Sequence, residues 1–142
     1  MSLFEKETQN RFIRVAGKMK KGIPLEGKEE ILIGEIMEEH PEFTQIWELG
    51  DLSAAPHEIN GQVVNPFVHT ALHLSLELQV DKNEPEEVME VFQKMMKKGT
   101  DRHEVIHQIG GIYASVYFTT FRRGQSFEET SYIELVRELV EE

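Results

Sequence analysis

The stretch that decides the fold runs Asn65-Pro66-Phe67-Val68-His69-Thr70-Ala71-Leu72-His73-Leu74-Ser75-Leu76-Glu77-Leu78-Gln79-Val80. An asparagine followed by proline supplies a helix cap and a first-turn residue whose fixed φ already suits a helix, so this stretch predicts a helix over Pro66–Val80. At about 100° per residue, His69 and His73 fall on one face with Leu72, Leu76 and Val80, the side expected to look into the core.

Turn signals on both sides divide the rest of the chain into further helices. Upstream, one helix is expected to begin near Ser2, burying Phe4, Phe12, Val15 and Met19, and to stop at Gly22 ahead of Pro24. A second runs from about Glu26 to Glu39 with Ile31, Ile33, Ile36 and Met37 as its apolar residues. Pro41 opens a short third helix through Trp47 and Leu49, closed by Gly50. Residues 51–64 lack helical periodicity, contain Pro56 and an Asn60-Gly61 turn, and allow at most a short strand at Val63 and Val64. Downstream, Pro85 opens a helix through Lys98, ended by Gly99, and Asp101 caps one from Arg102 to Arg123. Ser126 with Glu129 reads as a capping box for a last helix, Phe127–Val140. The expectation is an all-α, single-domain helical bundle of about five to six helices over residues 1–142.

Composition narrows the function classes. A chain of 142 residues is long enough to bury a core without covalent staples. With 26 acids against 15 bases the net charge is −11, so a phosphate backbone is repelled over most of the surface and no nucleic acid is expected. The short basic clusters at Lys18, Lys20 and Lys21, at Lys97 and Lys98, and at Arg122 and Arg123 sit where helices are expected to end and complement their dipoles. No cysteine is present, which excludes disulfides, thiolate nucleophiles and cysteine-ligated clusters and leaves nitrogen and oxygen donors for any metal. No apolar run has the length of a signal sequence or a membrane span, so a cytoplasmic protein without membrane contact is expected.

Chemistry is concentrated in two matched pairs, His69 with His73 and His103 with His107, the second reading His103-Glu104-Val105-Ile106-His107. Spacing of four places two imidazoles one helical turn apart, close enough to share an ion. Short links on either side of the helix at 85–98 favour an up-down-up order, which makes the two histidine helices parallel and puts both pairs at the same end. A divalent metal held by His69, His73, His103 and His107 follows. Zinc leads because it suits nitrogen donors, and nickel, iron or copper accept the same set. His57 and Glu58 in the long loop, and Glu77 one turn beyond His73, are further candidates as additional ligands or as hydrogen-bond partners of the ligands. Glu104 is the candidate general base if there is catalysis, and His40 beside Pro41 reads as a cap for its helix.

Taken together, His57-Glu58, Asn65-Pro66-Phe67, His69, His73 and Gln79, with Asp101-Arg102-His103-Glu104 through His107, resemble an uncharacterised bacterial family, domain of unknown function eighteen-forty-one. The resemblance implies a small helical protein and leaves its chemistry open. In the family pattern a carboxylate immediately precedes the residue matching Gln79; here Leu78 stands there and Glu77 lies one position earlier.

Three other readings compete. A zinc-dependent hydrolase uses His-Glu-x-x-His as two ligands and a base, but the position of a metzincin's third histidine is held by Tyr113. A di-iron carboxylate bundle needs two Glu-x-x-His half-motifs, and Glu104 with His107 provides one. The third is a metal-free interaction module, its histidines packed and its acidic surface meeting a protein partner or a second copy of the chain.

Overall fold

The computed structural model of the chain describes residues 4–141. Its backbone is mostly helical, with α1 (Lys6–Lys21), α2 (Gly27–Glu38), α3 (Pro66–Lys82), α4 (Glu86–Lys97), α5 (Arg102–Arg122) and α6 (Glu129–Arg137). Two 3-10 segments, Pro41–Phe43 and Ile46–Ala54, follow α2, and a third, Glu138–Val140, extends α6. Between Ala54 and α3 lies one antiparallel hairpin, β1 (His57–Ile59) with β2 (Gln62–Val64). The all-α expectation holds, with this hairpin as the β content of the described residues. The expected helix start near Ser2 lies outside them.

The chain divides into two compact units, Met1–Leu74 and Ser75–Glu142, the division falling within α3. In the first unit, Phe12 and Val15 of α1 and Ile33 and Ile36 of α2 are wholly or almost wholly buried. Phe12 packs edge-on to Trp47 with ring centroids 6.1 Å apart and tilts against Phe67 at 5.5 Å, so α1, the second 3-10 segment and the start of α3 share one aromatic core. Ile31 departs from expectation and is exposed, 47% of its surface facing solvent. It lies about 200° around α2 from Ile33, opposite the stripe formed by Ile33, Ile36 and Met37.

Local chemistry explains most boundaries. Asn65 caps α3 as expected, its Oδ1 accepting the Val68 N–H at 3.1 Å, and its Nδ2 donates to the Ala54 carbonyl at 2.7 Å, which ties the base of the hairpin to the helix start. Asn60 and Gly61 both take positive φ, 52° and 81°, the conformation a two-residue hairpin turn requires. Register then pairs His57 with Val64 and Ile59 with Gln62.

The single helix expected after Pro41 is instead two 3-10 pieces, and Gly50 breaks the second at φ 61°, ψ −121°. Beyond the break at Gly50, 3-10 turns resume and reach Ala54, into the start of the stretch expected to be irregular. Gln9 of α1 holds this segment, its Nε2 donating to the Asp51 carbonyl at 3.0 Å and to Ser53 Oγ at 3.3 Å.

In the second unit, Leu76 of α3, Val88, Met89, Phe92 and Met95 of α4, Val105 and Ile109 of α5, and Tyr132 and Val136 of α6 form one buried cluster. Tyr132 donates its hydroxyl to Gln79 Oε1 at 2.8 Å, linking α6 to α3. Two capping expectations need correction. Asp101 occupies the cap position of α5 but its side chain makes no cap hydrogen bond. The last helix begins at Glu129 with Glu128 as its cap residue, so Ser126 lies outside it, and Ser131 Oγ donates to Glu128 at 3.0 Å.

Candidate metal centre

The first unit gathers three imidazoles. His40 follows the end of α2, and His69 and His73 sit one turn apart on α3. The His40 and His73 ring centroids are 4.5 Å apart, His40 and His69 4.8 Å, and His69 and His73 4.9 Å. His40 and His73 are buried, 4% and 3% exposed, and His69 is half-buried.

His40 is oriented by its other nitrogen. Its Nδ1 lies 2.8 Å from the Ile36 carbonyl oxygen, and because a carbonyl can only accept, Nδ1 carries the hydrogen. The opposite nitrogen, Nε2, is thereby turned toward the cluster, 3.1 Å from Nε2 of His69. Anchoring one ring nitrogen on a backbone carbonyl so that the other faces a ligand is the usual support for a metal-binding histidine. Phe43 stacks flat on the His40 ring at 5.4 Å and meets His69 edge-on at 5.5 Å, restricting both rings. Next to His69 on α3, Thr70 is buried at 1% exposure, and its Oγ1 has no hydrogen-bond partner among the described residues.

The sequence marks His40 only as a helix cap. The capping role is real, through Nδ1 and Ile36, and the same ring also serves the cluster through Nε2. No spacing signal marks it, because His40 and His69 are 29 residues apart and meet through the folding of the intervening 3-10 segments and hairpin.

In the second unit, His103 and His107 lie on α5 with ring centroids 4.3 Å apart, the former half-buried and the latter exposed. Glu104, between them, is exposed, and its Oε1 accepts a hydrogen bond from Gln108 Nε2 at 3.1 Å. Glu77 is engaged with Arg102 at the first turn of α5. The guanidinium donates to both carboxylate oxygens, at 3.0 and 2.5 Å, and lies 5.7 Å from the centre of the Phe92 ring. This two-pronged pairing engages both carboxylate oxygens, so Glu77 is held by Arg102. In the hairpin, His57 donates from Nε2 to the Leu52 carbonyl at 2.7 Å, and Glu58 is exposed.

Among the described residues no helix is long and apolar enough to cross a membrane. No curated protein and no solved structure matches the chain. A family model does, over residues 5–138, nearly the whole sequence. The chain therefore belongs to the family described as domain of unknown function 1841 (DUF1841).

Proposed function

We propose that the protein binds one divalent metal ion in the histidine cluster of the first unit, with His40, His69 and His73 as donors. The observation that carries this reading is the convergence of three imidazoles in the first unit, one of them aimed by a bond from its far nitrogen to a backbone carbonyl. Packing alone places aromatic rings together. It does not require histidine at three adjoining positions, where phenylalanine or leucine would bury more apolar surface without polar atoms to satisfy.

Zinc is the first choice of ion, because imidazole donors in a chain without cysteine suit its tetrahedral geometry; nickel, iron and copper accept the same donors. A set of four or more nitrogens closes the coordination sphere and makes the ion a structural support. Three leave a position for water. Glu104, exposed and bonded to Gln108, adds no support to a hydrolase reading.

Elemental mass spectrometry on tag-free protein, purified without chelator, tests the proposal. About one equivalent of a divalent transition metal, with melting raised by added zinc, is expected. Less than about a tenth of an equivalent, with no shift on adding zinc, overturns it.

A further inference from the structure

The first unit also contains a cavity of about 650 Å³ between α1, α2 and the two 3-10 segments that follow α2. Its apolar wall is formed by Ile13, Met19, Met37 and Trp47. Met37 and Trp47 are themselves 7% and 4% exposed, so they are core residues with one side on the cavity. The size falls in the range of small-molecule sites, roughly 300–1,000 Å³. Methionine and tryptophan give it an adaptable, polarizable lining.

The charged residues lining it are Lys20, Glu38 and Glu48. Lys20 is paired with Glu48, a salt bridge from α1 to the second 3-10 segment. Two carboxylates against one ammonium leave a single negative charge, and Glu38, exposed at the end of α2, is the unpaired one among the described residues. Bare apolar walls with one uncompensated carboxylate favour a ligand that is greasy at one end and cationic at the other. The chain's net charge of −11 attracts cations and repels anions of the same shape.

The geometry points to a binding site for an organic cation, an ammonium group carried on an apolar chain or ring, with the apolar part against Met19, Met37 and Trp47 and the charge at Glu38. No histidine among the described residues lines this cavity, and the proposal stands or falls separately from the metal reading.

Trp47 is the only tryptophan in the chain, so its fluorescence reports the cavity directly. Decyltrimethylammonium, decanoate and decanol, each below its micellar or solubility limit, provide matched probes of positive, negative and zero charge. Decyltrimethylammonium saturates the signal, and decanoate binds at least about tenfold more weakly. Glu38→Gln weakens the ammonium about three- to fivefold and leaves decanol unchanged. A Cβ added at Gly17, which lines the cavity, meets nothing within 4 Å, so Gly17→Leu fills the space and removes binding of both the ammonium and decanol while the melting curve stays cooperative. Equal affinity for decanoate and the ammonium, or no effect of Glu38→Gln, overturns the cation assignment. Undiminished binding to Gly17→Leu overturns the cavity as the site. If Gly17→Leu fails to fold, Glu38→Gln at an exposed position still decides.

Discussion

The Nε2 atoms of His40 and His69 lie 3.1 Å apart. Two nitrogens bound to one tetrahedral zinc at about 2.0–2.1 Å are separated by about 3.3–3.4 Å, so a shift of a few tenths of an ångström would fit this pair to the proposed ion. His40→Asn keeps a donor for the Ile36 carbonyl but removes the imidazole. We expect zinc affinity to fall at least about tenfold, with the metal-free melting temperature little changed. Isothermal titration with zinc alongside thermal melts checks both, and unchanged affinity removes His40 from the ligand set.

Thr70 carries a buried hydroxyl with no partner among the described residues, and a group in that position forfeits its hydration without recompense. Thr70→Val keeps the branched shape and discards the hydroxyl, so the variant is expected to match the metal-free wild type or exceed it by up to about 1 kcal/mol. Urea midpoints measure this, and a loss of more than about 1 kcal/mol shows that the hydroxyl has a stabilising role.

Asn65 joins two elements with one side chain, capping α3 through Oδ1 and holding the Ala54 carbonyl through Nδ2. Asn65→Ala removes both bonds and is expected to cost about 1–2 kcal/mol. Asn65→Asp keeps the acceptor and loses the donor, so it recovers part of that loss. Chemical denaturation of the pair separates the two contributions.

Burial pushes the Tyr132 hydroxyl well above its ordinary value of 10.0, with the hydrogen bond to Gln79 acting in the opposite direction. The folded state therefore keeps this proton at pH values where the unfolded chain releases it. Stability from this group is intact below about pH 10 and declines as pH rises beyond that toward the folded value. Tyr132→Phe is expected to cost about 1 kcal/mol at neutral pH and to flatten the alkaline decline. Urea midpoints from pH 7 to 11 test the sign, and an alkaline limb identical in both proteins contradicts it.

What could be read from the sequence followed from how local each cause is. Asn65-Pro66 and Asn60-Gly61 act through their own backbone and neighbouring side chains, so the start of α3 and the hairpin turn were accessible before any packing was known. The stretch after Pro41 was not, because the choice between an α-helix and 3-10 pieces depends on Gly50 adopting a non-helical backbone and on Gln9, some forty residues away, anchoring Asp51 and Ser53. The α3 pair at the candidate centre was visible as a spacing of four. His40 was not visible as part of it, since a ring that bonds Ile36 on one side and faces His69 on the other is brought there by tertiary structure. Glu77 follows His73 by one turn, a local spacing; its pairing with Arg102 comes from a later helix and has no such signal.

X-ray absorption at the zinc edge, on protein loaded with one equivalent of zinc, reads the proposed ligand set itself. At least three nitrogen neighbours are expected at about 2.0–2.1 Å with the outer-shell scattering of imidazole rings, reduced by one ring in His40→Asn. A shell of oxygens without imidazole scattering, or a spectrum identical in wild type and variant, contradicts it.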